Sequence, residues 1–91
     1  MFAIARFENS DSDFLQELIK AHQLLAACKG YINGRIGRNT DSPQLLALIT
    51  EWENIGSYRR ALSNFEVKMV AVPVLARAID EPGGYIDPQS E

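Results

Sequence analysis

The sequence contains few of the residues on which many protein activities depend. Its 91 residues include one cysteine, Cys28, and one histidine, His22. A single cysteine cannot form an internal disulfide, and neither residue alone can provide a multi-cysteine or multi-histidine metal site. No GxGxxG or Walker phosphate loop and no GxSxG turn is present. We therefore expect no bound metal, haem or flavin, and we expect a reducing, cytoplasmic location.

Long apolar runs and an excess of basic residues are also lacking. The longest apolar runs are too short to cross a bilayer, and Met1 leads into a strand pattern without a basic start. We therefore expect no membrane span and no secretory signal. Nine Lys and Arg against twelve Asp and Glu give a net charge of −3. Proteins that bind nucleic acid by neutralising phosphates are normally basic, so nucleic acid is not an expected partner.

The residues that are present are typical of one folded domain over residues 1–91. Hydrophobic residues make up 46% of the chain and charged residues 23%, as in ordinary globular proteins. Helical spacing runs from Asp13 to Cys28. One apolar row in this segment consists of Phe14, Leu18, Ala21, Leu25 and Cys28. An adjacent row consists of Leu15, Ile19, His22 and Ala26. Gly30 is a suitable stop for this helix.

The remaining segments complete an alternating order of strands and helices. The predicted elements are a strand at 2–7, a helix at 13–28, strands at 31–38 and 44–52, a helix at 57–65, a helical stretch at 66–78 and a short strand around Tyr85-Ile86. Pro73 disturbs the helical stretch unless it lies in the first turn of a new segment. This order predicts a ferredoxin-like βαββαβ fold of the α+β class, with an antiparallel sheet and helices on one face.

Two of the predicted strands are apolar on both faces. Leu46, Leu48, Thr50 and Trp52 alternate with Leu45, Ala47, Ile49 and Glu51 in the third strand. In the first strand, Phe2 and Ile4 alternate with Ala3, Ala5 and Phe7. Helices can cover one face, and a chain of this length has no spare element for the other. The pattern therefore predicts a homodimer in which two sheets pack face to face.

His22 and Cys28 are the candidates for acid–base or thiol chemistry. His22 lies at the edge of the apolar helix face. It is either a packed, hydrogen-bonded histidine or a general base in a cavity under the helix. Cys28 lies near the helix C-terminus, whereas helix N-termini favour thiolates, so we expect a structural thiol.

Three aromatic residues are candidates for ligand binding. Trp52 is the only tryptophan and lies where a strand ends before a helix, so we expect its indole to be held by the strand and exposed to a loop. Tyr58 follows Trp52 by six residues, across the turn from strand to helix, and Tyr31 begins the second predicted strand. Indole and phenol rings on the wall of an apolar cavity suit a flat aromatic ligand. The alternative is that all three rings belong to the core.

Several segments give the chain a resemblance to the antibiotic biosynthesis monooxygenase family of the dimeric α+β barrel superfamily. These are the helix end and strand ACKGYINGRIGR, the TEWEN segment after an apolar strand, the SYRRAL helix and the stretch VKMVAVPVLARAIDEP. The resemblance implies a ferredoxin-like protomer whose sheet packs on a second copy. It also implies a pocket between the helices and the sheet.

The resemblance further implies an activity. Oxygenases of this family work without flavin, haem or metal, on a phenol or quinol whose own carbanion reacts with oxygen. Trp52 and Tyr58 match pocket residues of the family by position, whereas Leu48 stands where the family has an Asn. The sequence thus suggests a cofactor-independent monooxygenase acting on a small aromatic or quinol-like substrate, with His22 or a bound water accepting a proton. The alternative is a non-catalytic dimeric ligand-binding or stress-response module of the same fold.

Overall fold

The computed structural model describes residues 1–89 and contains one four-stranded antiparallel sheet with the helices on one face. The strands are β1 (Phe2–Phe7), β2 (Tyr31–Arg38), β3 (Leu46–Trp52) and β4 (Gly84–Tyr85). Their spatial order is β2-β3-β1-β4, and each neighbouring pair is antiparallel. The helices are α1 (Ser12–Ala26), α2 (Ile55–Ser63), a π-helix (Val67–Ala71) and α3 (Val72–Leu75). The predicted ferredoxin-like α+β fold is confirmed.

Helix α1 follows the predicted apolar row. Its buried residues are Phe14, Leu18, Ala21 and Leu25. The Asp11 side chain caps the first turn by accepting a hydrogen bond of 2.8 Å from the Phe14 N–H. The helix ends at Ala26, two residues earlier than predicted, and Gly30 follows with φ of 94°. A side chain at Gly30 would overlap Ser57, so glycine allows the loop to pass close to α2.

The hairpin of β2 and β3 forms as predicted, with a shorter third strand. β3 begins at Leu46 rather than at residue 44, because Leu45 N–H donates to the Ser42 carbonyl in the turn. The turn is held by Asn39, whose side-chain oxygen accepts from two following N–H groups. The register between β2 and β3 shifts by one residue between Tyr31 and Asn33, which marks a bulge at the start of β2.

Helix α2 begins two residues earlier than the apolar pattern indicates. Asn54 is its N-cap, with the side-chain oxygen accepting from Ser57 N–H at 2.8 Å. The helix ends at Ser63, and the side chain of Asn64 then accepts from Val67 N–H at 3.2 Å. Two asparagine caps therefore divide this region into α2 and the helical segment that follows.

Pro73 explains the shape of the second helical stretch. It has no N–H, and its ring crowds the carbonyl four residues earlier, so a regular α-helix cannot continue through it. The preceding turn is widened into the π-helix, and Pro73 lies in the first turn of α3. Pro73 thus occupies the first turn of a new segment, which is the position where the sequence predicts no disturbance of the helix. α3 ends at Leu75, three residues before the predicted end of the stretch.

The hydrophobic core lies between the helices and one face of the sheet. Five of its residues come from β1 and β3 on that face: Ala3, Phe7, Leu46, Leu48 and Trp52, and the polar Thr50 is buried among them. On the opposite face, Phe2 is 40% exposed and Ile49 is 38% exposed. No helix within residues 1–89 is long and apolar enough to cross a membrane.

Candidate functional site

A cavity of about 210 Å³ lies between the sheet and the helices. Its walls combine residues from β1, β3 and three helices: Ala3, Ala5, Leu48, Thr50, Leu25, Tyr58 and Leu75. The segment leading into β4 forms the remaining border, through Ile79, Glu81, Gly83 and Gly84 among others. The cavity is thus mostly apolar, with polar groups at only a few points, as is usual for small-molecule sites.

Among residues 1–89, one carboxylate borders this cavity, and it is already paired. Arg6 donates two hydrogen bonds to Glu81, of 2.7 Å from Nε and 2.6 Å from Nη2. These hydrogen bonds to Arg6, and the charge of its guanidinium, hold the pKa of Glu81 below its ordinary value. Glu81 therefore remains ionised and bound to Arg6. The same contact ties the segment before β4 to β1.

Tyr58, a residue of the cavity wall, carries a neutral hydroxyl. Burial raises the pKa of its phenol, so the hydroxyl stays protonated at neutral pH. Tyr58 also borders a second, more open cleft of about 420 Å³, which contains Ile55, Arg59, Leu62 and Ile86. The Tyr58 side chain and Gly84 border both spaces, so they stand between the cavity and the open cleft.

Trp52 is deeper than the sequence indicated. Its side chain is 1% exposed, and its indole N–H donates to Thr50 Oγ1 at 2.8 Å. The expectation of an indole exposed to a loop is wrong, because the rings of Tyr31 and Tyr58 pack on it from two sides. The centroid distances are 5.4 Å to Tyr31, edge to face, and 5.5 Å to Tyr58. Trp52 is not among the residues that border either space.

His22 and Tyr31 form a hydrogen-bonded pair away from the cavity. His22 Nε2 lies 2.7 Å from Tyr31 Oη. Burial lowers the pKa of His22 and raises that of Tyr31, so both groups are neutral at neutral pH, and the tautomer of His22 decides which of them donates. Neither residue borders the cavity. Of the two alternatives for His22, the packed, hydrogen-bonded histidine agrees with this position.

The four residues singled out from the sequence nevertheless form one contact row. His22 packs on Tyr31, Tyr31 on Trp52, and Trp52 on Tyr58. The structure thus brings them together, and Tyr58 is the member of the row that reaches the cavity. Their role in ligand binding stays a prediction.

Thr50 and Glu81 are site residues that the sequence analysis did not single out. Thr50 is a polar residue on an otherwise apolar strand face, two positions before Trp52, and that position is a usable signal. Glu81 carries no such signal, because its place at the cavity depends on the path of the segment between α3 and β4.

Cys28 is half-buried, and its thiol lies 3.4 Å from the Leu24 carbonyl. Burial raises the pKa of the thiol, which disfavours the reactive thiolate. Within residues 1–89, no three His, Cys, Asp or Glu side chains come together as a metal-binding group.

Known structures share this arrangement of elements. SnoaB, a cofactor-independent oxygenase from Streptomyces nogalater, matches in a variant structure with a TM-score of 0.80 and 20% sequence identity, over 98% of this chain and 93% of that chain. Rv0793 from Mycobacterium tuberculosis matches with a TM-score of 0.71 and 15% identity, over 98% and 97%.

A Deinococcus radiodurans protein, provisionally named an antibiotic biosynthesis monooxygenase, matches with a TM-score of 0.68 and 17% identity, over 98% of both chains. No protein-family model matches the chain, and no curated protein matches it in sequence. At these identities the likeness concerns the fold. The expected fold of the antibiotic biosynthesis monooxygenases is confirmed.

Proposed function

We propose that this protein is a cofactor-independent monooxygenase that acts on a small aromatic or quinol-like molecule bound in the cavity. The observation that carries the proposal is the apolar cavity between the sheet and the helices, with the Tyr58 and Thr50 side chains on its wall. The likeness in fold to SnoaB, a cofactor-independent oxygenase, adds support. The apolar walls suit the faces of a flat ring, and the Tyr58 hydroxyl can orient a substrate oxygen.

The proposed reaction takes its electrons from the substrate. A substrate CH₂ group activated by a neighbouring phenol or quinol loses a proton and gives a carbanion, which reacts with O₂. One oxygen atom is retained as a new carbonyl, and the other leaves as water with the two hydrogens of the CH₂ group. The protein then has to hold the ring, exclude bulk water and favour the carbanion in its pocket.

A bound water is the proposed acceptor of the proton. The sequence offered His22 or a water for this step. His22 is hydrogen-bonded to Tyr31 and does not border the cavity, and Glu81 is ion-paired to Arg6. A water in the cavity mouth can pass the proton to solvent without either group.

Oxygen uptake tests this proposal. The protein is mixed with a panel of anthrones, which carry the required ring CH₂ group, and uptake is compared with that of each compound alone and with heat-denatured protein. The proposal predicts protein-dependent uptake and, with anthrones under ¹⁸O₂, one labelled oxygen atom in each product molecule. Tyr58→Phe should lower the rate. Uptake equal to the uncatalysed rate with every compound would contradict an oxygenase.

The second candidate function is a non-catalytic ligand-binding module with the same cavity. This function is favoured because the two side chains best suited to accept a proton are already engaged. His22 is hydrogen-bonded to Tyr31, and Glu81 is ion-paired with Arg6. Saturable binding of the same compounds without oxygen uptake would support this function. The binding measurement and the uptake measurement thus separate the two candidates.

We also propose that two copies associate through their sheets. The outer face of the sheet carries three large apolar residues in reach of solvent: Phe2, Ile49 and Tyr85 are 40%, 38% and 45% exposed. Phe2 and Tyr85 stack with their ring centroids 5.6 Å apart, which makes a flat apolar surface. A sheet-to-sheet dimer would bury an area of order 2,000 Å² in total.

A further inference from the structure

We infer that Thr50 donates a hydrogen bond into the cavity and selects ligands that carry an uncharged oxygen acceptor on an apolar ring, with Trp52 as the residue that orients this hydroxyl. The inference rests on the proposed use of the cavity for ring-shaped ligands. It adds the chemical group that the ligand must present and the side chain that recognises it.

The orientation of the Thr50 hydroxyl follows from its partner. Thr50 is 2% exposed and borders the cavity. Its Oγ1 accepts a hydrogen bond of 2.8 Å from the Trp52 indole N–H. An indole N–H can only donate, whereas a hydroxyl has one proton and two lone pairs. Trp52 therefore occupies a lone pair of Thr50 and leaves the hydroxyl proton to be donated to another group.

No side-chain acceptor for that proton lies directly opposite Thr50 on the neighbouring strands. The cross-strand neighbours of Thr50 are Ala3 on β1 and Gly34 on β2, and neither has a side-chain oxygen. Thr50 lies in a strand, so it cannot bond to a carbonyl one helical turn earlier, as a threonine in a helix can. Among residues 1–89, the indole N–H is the only hydrogen-bond partner of the hydroxyl. A buried hydroxyl donor without an acceptor is costly, and a ligand oxygen in the cavity would satisfy it.

The charges around the cavity indicate whether the ligand group that accepts from Thr50 is charged or neutral. Glu81, at the border, is an ionised carboxylate, and no Lys or Arg side chain borders the cavity within the described residues. Because the Arg6 guanidinium is already bound to Glu81, a ligand carboxylate or phosphate would lose its hydration in the cavity without gaining a counter-charge. A ketone or quinone carbonyl is uncharged and has lone pairs for both Thr50 and Tyr58. The geometry thus favours ring ketones and quinones over aromatic acids.

A pair of matched probes tests the inference. 1-Tetralone and tetralin have the same two-ring skeleton, and only 1-tetralone has a carbonyl. Affinities are measured by calorimetry for the wild-type protein, Thr50→Val and Thr50→Ser. We expect the wild-type protein and Thr50→Ser to bind the ketone more tightly than the hydrocarbon, by roughly three- to ten-fold. Thr50→Val, which keeps the shape but removes the hydroxyl, should lose most of this preference, because only the Tyr58 hydroxyl is then left to meet the ketone, and should leave tetralin affinity unchanged.

The carbonyl stretching band of bound 1-tetralone provides an independent readout. A hydrogen bond to the carbonyl lowers the frequency of this band, so the band should move back towards its position in an apolar solvent in Thr50→Val. Trp52→Phe should give a smaller and broader shift than the wild-type protein, because the Thr50 hydroxyl is then free to rotate. A purely structural role of Trp52 would change stability and leave the band of the bound ketone as it is.

The outcomes separate this inference from the proposed function. If both probes bind and Thr50→Val keeps the wild-type preference for the ketone, the assignment of Thr50 is wrong, while the cavity remains a ring-binding site. Equal binding of both probes by the wild-type protein contradicts the assignment in the same way. If neither probe binds to the wild-type protein, the cavity is not a site for such rings, and the proposed function fails together with this inference.

Discussion

The position of Trp52 determines what its replacement should do. Its indole is buried, donates to Thr50 and packs on the rings of Tyr31 and Tyr58. Trp52→Phe removes the N–H and leaves space beside the smaller ring. We therefore expect the free energy of unfolding to fall by about 1–3 kcal/mol, from the lost hydrogen bond and the incomplete packing. Urea denaturation followed by circular dichroism measures this change, since the variant has no tryptophan to follow.

Tyr58→Phe provides the comparison for this prediction. It also changes an aromatic ring in the same row, but it keeps the ring and removes only a hydroxyl at the cavity wall. Its effect on unfolding should be smaller than that of Trp52→Phe. An unfolding free energy of Trp52→Phe equal to that of the wild-type protein would show that the indole is not packed as described.

His22 should titrate below its ordinary pKa of 6.5, because burial disfavours its charged form. The unfolded chain then binds more protons than the folded chain as the pH falls from 6.5 towards the folded pKa, so stability decreases over that window. Above pH 6.5 the histidine is neutral in both states and this effect is absent. His22→Gln should remove the decrease.

The single histidine makes this titration simple to measure. The imidazole proton resonances of the folded protein are followed by NMR between pH 4 and 8. A midpoint at or above 6.5 would contradict the buried, hydrogen-bonded position of His22. Thermal unfolding at several pH values, with His22→Gln as the control, then relates the midpoint to stability.

The sequence identified the aromatic residues of the site and missed the polar ones. Trp52, Tyr58 and Tyr31 are rare and large, and the six-residue separation of Trp52 and Tyr58 across a turn suggested that these two meet. The depth of Trp52 depends on Tyr31 and Tyr58 packing over it, which the linear sequence does not show. The importance of Thr50 depends on its cross-strand neighbours, Ala3 and Gly34, and therefore on a register that no local pattern reveals.

At the scale of elements, Gly34 in β2 lies where the sheet backbone contacts the His22–Tyr31 pair. A Cβ at this position would lie 2.7 Å from the Ile49 carbonyl oxygen, 2.7 Å from Tyr31 Oη and 2.9 Å from His22 Nε2. Gly34→Ala should therefore disturb both the β2–β3 pairing and the hydrogen-bonded pair. We expect a loss of about 1–3 kcal/mol in unfolding free energy, measured by urea denaturation.

Gly37 is the matched control for this prediction. It lies in the same strand, and a Cβ there would meet nothing within 4 Å. Gly37→Ala should be neutral or slightly stabilising, because alanine reduces the freedom of the unfolded chain. Equal losses in the two variants would show that the close contacts at Gly34 are not the cause. The close approach of the backbone to its neighbours thus occurs at Gly34 and not at Gly37.

The elements themselves were predictable to different degrees. The bounds of β1 and β2 and the buried row of α1 follow from hydrophobic spacing alone. The early start of α2 depends on capping by Asn54, which is a local signal that apolar spacing does not contain. The π-helix depends on how the chain accommodates Pro73 against its neighbours, and no sequence period predicts it.

At the scale of the whole molecule, the proposed dimer depends on the outer face of the sheet. Ile49 lies on that face in the central part of the sheet, paired with Ile4 on β1 and Arg35 on β2. Ile49→Asp would place a carboxylate in a sheet-to-sheet interface, with Arg35 as its cross-strand neighbour. We expect it to break the dimer and to unfold the chain, because the buried charges lose their hydration and replace an apolar contact.

Light scattering at micromolar concentration measures the mass of the wild-type protein and of both Ile49 variants. Ile49→Val is the control, since it keeps an apolar side chain of similar shape and should remain dimeric. A monomeric mass of the wild-type protein would reject the dimer. A folded monomer in Ile49→Asp would show that the protomer is stable without its partner.

The central claim is that the cavity between the sheet and the helices is the functional site, and methyl NMR with 1-tetralone tests it most directly. The claim predicts saturable shifts of methyl resonances on the cavity wall, those of Ala5, Leu48 and Leu75. Methyl resonances of Leu62 and Ile86, in the open cleft, should remain unchanged. Shifts confined to Leu62 and Ile86, or no shifts at saturating ligand, would contradict the claim.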